Sequence, residues 1–308
     1  MFSIDELLSK RNQRLALEHL ETKKDGCGID GVHISEFKEY WEMNHERIEE
    51  EIRNGSYVPG IIMTYEILNG HGKRRIVSSL NVTDRFITRL ISQKLKRYME
   101  PMFLQNSYAY QENKGIVQAV TKAKEYAECG NHIVVEVDFK NYFDNIPLEK
   151  MLEIVSQYIK DEKVYSLIKA YLFCKVEVDD KITDKSIGLV QGNSMSPILS
   201  NLYLHSLDCY MEEQGWDWIR FADNIYVFVS KQEDATNIYN LLCEKIKSEY
   251  KLELNDSKSG IHDIFEKVML GYTFNRTKND IEIRRKQYEK RQVYQNWNRC
   301  AVEKVNRE

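Results

Sequence analysis

The chain has 308 residues, 42% apolar and 30% charged, and its 44 basic and 48 acidic residues give a net charge of −4. That is one elaborate domain or two of roughly 150 residues, with no apolar run near the roughly 18 residues of a membrane helix and no signal-peptide pattern after Met1. Membrane, collagen-like and wholly disordered classes are excluded, a cytoplasmic location without a membrane partner is expected, and only 14 Gly and four Pro favour a helix-rich α+β chain.

In chain order, Ile4–Leu20 has helical periodicity, Gly26–Gly31 forms a turn, and Ile34–Ile52 reads as an amphipathic helix entered at Ser35. Asn54–Gly55 and Pro59–Gly60 break that pattern. Ile61–Leu68 and Arg74–Val77 read as a hairpin about the turn Asn69–Gly72, followed by a helix from about Thr83 to Tyr98. Residues 71–100 carry 8 basic against 2 acidic residues, and residues 276–308 carry 10 against 5. Either run could track a phosphate backbone, although such runs are commonly solvated helix faces. The six cysteines form no C-x-x-C pair, so buried thiols are expected rather than a disulfide framework or zinc site.

Three blocks carry chemistry. His132–Val137 is a β-branched run ending at Asp138, followed by Pro147 in a first helical turn and a helix with one apolar face. Gly188–Pro197 is a glycine-bracketed loop opening a helix over Ile198–Tyr210, with Ser196 placed as cap; such a loop suits a phosphate or a base edge. Trp218–Phe221 and Ile225–Val229 flank the tight turn Ala222-Asp223-Asn224, which a plain hairpin would also explain. Together they describe two strands, each presenting an aspartate, beside a polar loop. Two hard cations about 3.5–4 Å apart suit phosphoryl transfer, and Asp138 and Asp223 are the candidate shared carboxylates.

At these residues the sequence resembles bacterial reverse transcriptases of the group II intron-like kind, in order over Glu21–Phe274. Lys24–Val32 and Asn54–Pro59 resemble the family's N-terminal extension; Lys73–Ile76 with Asp84–Arg85, and Ser107–Tyr110, resemble its fingers motifs. Val137–Pro147, Gly188–Asp208 and Phe221–Asn224 resemble the A motif, the B motif and the catalytic hairpin. Leu252–Gly260 and Leu270–Tyr272 resemble the D motif and primer grip.

The resemblance implies a right-hand polymerase fold, α+β, with an antiparallel palm sheet packed on helices. Residues 1–70 would be the extension, 71–130 the fingers, 131–275 the palm and 276–308 a basic C-terminal helix forming a partial thumb. It implies two Mg2+ ions, or Mn2+ in their place, held by Asp138, Asp223 and the Phe139 carbonyl. Phe143 would be the steric gate at the sugar 2′ position, Gln191 and Gly192 would border the incoming nucleotide, and Lys73 and Arg75 would hold its triphosphate. Lys258 would protonate pyrophosphate or organise the site. The implied partners are an RNA template, a DNA or RNA primer and dNTPs.

The pattern departs from the family at Asn224, where aspartate is usual, at Phe221 for tyrosine, and at Ser107–Gln111, which lacks a Gly-Phe-Arg stretch. After Phe274 only 34 residues remain, room for one basic helix over Ile283–Lys304 that grips a duplex or docks on a protein completing the thumb. An RNA-directed DNA polymerase serving CRISPR spacer acquisition or phage defence is the first reading. The others are a catalytically weakened RNA-binding or scaffold protein, and a template-independent or protein-primed polymerase.

Overall fold

Three helices open the chain, α1 (Ile4–Leu7), α2 (Lys10–Glu21) and α3 (Phe37–Asn54). The computed structural model describes residues 2–68, 74–178, 181–278 and 280–286, and for 65–68 and 74–77 the backbone alone. The helix expected over Ile4–Leu20 is divided at Ser9, whose hydroxyl donates to the Glu6 carbonyl at 2.8 Å, a local bond that competes with helix continuation. Ser35 is not a cap: it lies inside a 3-10 turn, Ile34–Glu36, and its N–H donates to Asp25 Oδ1 at 3.1 Å. Gly55, at φ +78°, ends α3 as the Asn54–Gly55 break predicts.

The hairpin β1 (Ile62–Leu68) and β2 (Arg74–Ser79) and the helix α4 (Val82–Met99) follow as expected. Next come α5 (Ile116–Glu128), β3 (Ile133–Asp138), α6 (Tyr142–Asn145), α7 (Leu148–Tyr158) and α8 (Glu162–Leu172). The short strands β4 (Val176–Val178) and β5 (Lys181–Thr183) extend the first hairpin into a sheet of order β2-β1-β4-β5, with β1 parallel to β4. Buried Asp84 ties this region to the N-terminal segment, accepting from Tyr57 Oη at 2.7 Å, Tyr171 Oη at 2.8 Å and the Gly60 N–H at 3.0 Å. Burial pushes its carboxyl pKa upward, and those three donors oppose the shift.

The second sheet is built by α9 (Ser196–Glu213), β6 (Asp217–Phe221), β7 (Asn224–Val229), α10 (Gln232–Lys245) and β8 (Gly260–Asp263) with β3. Its order is β6-β7-β3-β8, antiparallel throughout. Strand alternation sorts its side chains. Val135, Val137, Ile225, Val227 and Trp218 join the larger core with α9 and α10, whereas Val134, Ile219, Tyr226 and Phe228 join a second cluster with α5. Each buried Val or Ile contributes about 1.5–3 kcal/mol, so a one-residue slip, which would invert both faces, is strongly disfavoured.

The hairpin β9 (Tyr272–Arg276) and β10 (Ile281–Arg285) closes the second cluster through Phe274 and Ile281. This corrects the helix expected from Ile283: Ile283–Arg285 pair with Tyr272–Phe274 as a strand. Ile281 and Ile283 alternate with Glu282 and Arg284, and that period of two prevails. Residues 287–308, the rest of that expected helix, lie outside the described residues. Among the described residues no helix is long and apolar enough to cross a membrane. The five described cysteines are free thiols; Cys174 is buried, while Cys27 and Cys129 are exposed, contrary to expectation.

Candidate active site

Asp138 ends β3 and stands opposite Asn224, the first residue of β7, in the antiparallel register. Asp223 occupies the turn between β6 and β7, where Ala222 takes a left-handed φ of +55°. The pairing therefore sets the two aspartates at one end of the sheet, with the Asn224 amide donating to Asp223 Oδ1 at 3.4 Å. Phe139 follows Asp138 and forms an isolated antiparallel bridge with Leu254. The bonds from Asn255 N to Asp138 O (2.8 Å) and from Lys140 N to Glu253 O (2.9 Å) flank it, and that ladder turns the Phe139 N–H and C=O away from Leu254, to the β7 side.

A polar segment ahead of β8 encloses Asp138, which is 1% exposed. Asn255 Nδ2 donates to Asp138 Oδ1 at 3.0 Å, and Lys258 Nζ lies 3.1 and 2.9 Å from the two carboxylate oxygens. Ser259 Oγ accepts from the Asp138 N–H at 3.0 Å. Of these, sequence reasoning named Lys258 alone. Asn255 and Ser259 belong to the run Leu252–Gly260 that carried the D-motif resemblance, but their contacts span more than a hundred residues and leave no local signature. Lys267 Nζ steadies the segment from behind, donating to the Lys258 carbonyl at 3.0 Å while paired with buried Glu136.

The Gly188–Pro197 loop meets the strand end of β3 through α6. Leu189 N–H donates to the Phe143 carbonyl at 2.6 Å, Gly188 N–H to the Ile146 carbonyl at 2.8 Å, and Gln191 Nε2 to Asp144 Oδ1 at 3.0 Å. Gly188 sits at φ +81° with Asp144 backbone 2.7 Å from where a Cβ would be, so only glycine fits. Gly192, at φ +101°, brings the loop to within 3.0 Å of the Ser78 carbonyl of β2 on the same measure. Phe143 is half-buried, edge-on to Tyr142 at 5.7 Å and to Tyr110 at 6.4 Å between ring centroids. Tyr142 in turn packs on Phe139 at 5.3 Å, linking this wall to the aspartates.

Two expectations about the loop change. Ser196 does not cap α9: Met195 holds the cap position and the Ser196 hydroxyl donates to the Val190 carbonyl at 2.7 Å. The helix start is also packed rather than presented, with Ser196 and Ile198 buried and the Met195 N–H taken by Asn193 Oδ1 at 2.9 Å. Pro147 similarly precedes α7 as its cap residue rather than entering its first turn. Lys73 lies outside the described residues, and Arg75 lies in β2 with its backbone alone described.

Burial pushes the Asp223 carboxyl pKa upward, and the neighbouring negative charge of Asp138 pushes it the same way, while Lys258 and Arg220 oppose. A cation between the two carboxylates would relieve the repulsion that Asp223 meets from Asp138, and both offer the hard oxygens that Mg2+ or Mn2+ takes. Among the described residues no three His, Cys, Asp or Glu side chains gather round one point. Backbone and amide oxygens stand beside the two carboxylates as further hard donors. The Phe139 carbonyl, turned to the β7 side, and the Asn224 amide carry oxygens of that kind. The donor set fits a divalent ion.

With that geometry in place, residues 67–278 match the family described as reverse transcriptase (RNA-dependent DNA polymerase). The chain belongs to the reverse transcriptase family. It is 26% identical over 199 residues to the group II intron-encoded protein LtrA of Lactococcus lactis subsp. cremoris, covering 64% of this chain and 33% of that protein. To Protein YkfC of Escherichia coli (strain K12) it is 22% identical over 292 residues, covering 82% and 76%. These relatives place it with reverse transcriptases of the group II intron type, and it spans a third or less of the length of the intron proteins it matches. Among solved structures it is similar to a chain of the partial Cas6-RT-Cas1–Cas2 complex, at 18% identity and a TM-score of 0.47, covering 80% of this chain and 42% of that one.

Proposed function

We propose that this reverse transcriptase is an active RNA-directed DNA polymerase, extending a DNA or RNA primer on an RNA template with dNTPs. Residues 71–130 serve as fingers and 131–275 as palm. The observation that carries the reading is the convergence of Asp138 and Asp223 at one end of the β3–β7 pair, beside Lys258 and the Phe143 wall. Two bound Mg2+ ions would activate the primer 3′-hydroxyl and neutralise the departing pyrophosphate.

The chain's own residues then divide the work. Asp138 and Asp223 supply shared carboxylate oxygen, and the Phe139 carbonyl and the Asn224 amide, turned about, supply neutral oxygen. Lys258, which now pairs with Asp138, would be free to donate its proton towards pyrophosphate once that carboxylate held a cation. Phe143 excludes a 2′-hydroxyl by bulk, Gln191 and Gly192 border the nucleotide, and Lys73 and Arg75 hold its phosphates as charge-assisted donors. Catalysis of this kind is mainly positioning and charge neutralisation. For the biological setting we propose CRISPR spacer acquisition from RNA or phage defence, with a protein partner; the genes flanking this one test that setting.

A second reading has two observations in its favour. Asn224 removes a carboxylate and Lys258 already neutralises Asp138, which suits a weakened enzyme that holds structured RNA or scaffolds a partner. Primer extension on poly(rA)/oligo(dT) with Mg2+ or Mn2+, with Asp138→Ala as control, separates the cases. Template-dependent product lost in the variant supports polymerase activity. Tight RNA binding without synthesis supports the second reading, and template-free or protein-primed product supports the remaining alternative.

A further inference from the structure

Arg220 occupies a position that strand alternation assigns to the core. With Trp218 it faces α9 from β6, and both are fully buried. A guanidinium has five N–H donors, and here all five are used. Nε and Nη2 form a fork on Asp208 at 2.7 and 2.6 Å; Nη1 donates to Asn201 Oδ1 at 2.9 Å and to the Ala222 carbonyl at 3.0 Å; Nη2 also donates to Ser107 Oγ at 2.9 Å. Asn201 and Asp208 lie on the same buried face of α9.

Stability does not explain this choice, because a buried ion pair is commonly no more stabilising than apolar residues of the same volume. What an apolar pair could not supply is a directed donor at Ala222. That residue holds a left-handed φ despite carrying a Cβ, which costs about 1–2 kcal/mol and persists only when its surroundings enforce it. The peptide plane containing the Ala222 carbonyl also contains the Asp223 nitrogen, so a bond to that oxygen fixes the orientation from which Asp223 projects. The same side chain reaches Ser107, and backbone bonds of 2.9 Å from Tyr108 N to Arg220 O and from Arg220 N to Asn106 O lock that segment alongside β6. Further along the segment, Tyr110 stands edge-on to Phe143. The turn and the gate wall share one anchor.

We infer that Arg220 is a positioning residue, holding the Ala222–Asp223 peptide for metal binding against the fixed anchors Asp208 and Asn201. The inference rests on Asp138 and Asp223 forming the metal pair proposed above. Arg220→Lys keeps the charge opposite Asp208 but loses the planar fork that also reaches Ala222. The double variant Arg220→Met with Asp208→Leu removes both charges, so no unpaired ion remains buried. Mn2+ binding by the full chain, followed by electron paramagnetic resonance, is measured beside primer extension and thermal melting. Variants that melt cooperatively are expected to bind Mn2+ about tenfold more weakly and to need about tenfold more Mg2+ for half-maximal extension, with the KM for primer–template nearly unchanged. Mn2+ affinity within about twofold of wild type in a folded variant would overturn the inference, since partner groups behind metal ligands commonly contribute more than that. So would Mn2+ binding that Asp138→Ala leaves intact, or failure of both variants to fold, which would assign the network to the fold alone. A wild type that binds Mn2+ through Asp138 yet extends no primer would remove the polymerase reading, and the Mn2+ measurements would still decide the role of Arg220.

Discussion

Lys258 lays its ammonium across both carboxylate oxygens of Asp138, at 3.1 and 2.9 Å. The pair is asymmetric, with the Asp138 side chain 1% exposed and the Lys258 side chain 58% exposed, so the lysine can leave without disturbing the core. A metal approaching Asp138 meets a counter-charge already in place. Replacing Lys258 with methionine is therefore expected to lower the Mg2+ concentration for half-maximal extension while reducing the maximal rate about a hundredfold, as loss of a proton donor does. Metal titrations of single-nucleotide incorporation check both halves. An unchanged metal dependence would show that the lysine does not compete for the carboxylate.

Asn224 faces Asp138 directly in the β3–β7 register and touches Asp223. Asn224→Asp puts a third carboxylate beside two that already repel. Without metal, the variant should lose up to about 1 kcal/mol of stability, the usual scale for like charges opposed across strands. Saturating Mg2+ should restore it, and synthesis at low Mg2+ should hold or rise. Thermal melts with and without Mg2+, beside extension assays, test this. Abolished synthesis would mean that the amide itself is required.

How far the chemistry was legible depends on range. The β3 and β7 runs, the turn at Asp223 and the helix after Pro147 follow from local alternation and periodicity, and the structure places each of them. The network about Arg220 was not read, although its signal existed: in Trp218-Ile219-Arg220-Phe221, a period of two puts Arg220 on the same face as Trp218, where a charge needs a buried partner. The partner, Asp208, lies on α9, and no local rule pairs a helix residue with a strand residue. At the C-terminal end, charges alternating with isolated apolar residues suit a helical reading from Ile283, and the pairing with Tyr272–Arg276 and the burial of Ile281 against the Phe274 cluster decide for a strand.

Phe143 presents a half-buried ring held edge-on by Tyr142 and Tyr110. Its backbone carbonyl accepts from Leu189, so truncating the side chain leaves the loop contact intact. Phe143→Ala should raise ribonucleotide incorporation relative to deoxynucleotide incorporation, at a stability cost of about 0.5–1.5 kcal/mol beyond lost area from the missing ring contacts. Competing dNTP and rNTP substrates on one primed template give the ratio. Unchanged discrimination in a folded variant would remove Phe143 from the sugar gate.

His262, on β8 opposite Val134, has its pKa pushed down to about 4, chiefly by burial and further by the Lys267 charge, with Asp263 opposing. Glu136 also faces it, 3.8 Å from Nε2. Because the folded pKa lies below the unfolded one, the unfolded chain binds the extra proton between roughly pH 4 and 6.5, and folding stability falls as pH drops through that window. The group is only partly buried, so its share is about 1 kcal/mol rather than the full linkage value. Acid also threatens the loop behind the site, since a charged His262 would compete with Lys267 for Glu136, and Lys267 holds the Lys258 carbonyl. His262→Gln, neutral at every pH, should flatten the loss of melting temperature between pH 6.5 and 4.5. It should also reduce the parallel loss of Mn2+ binding, and equal slopes for variant and wild type would place the acid sensitivity in other groups.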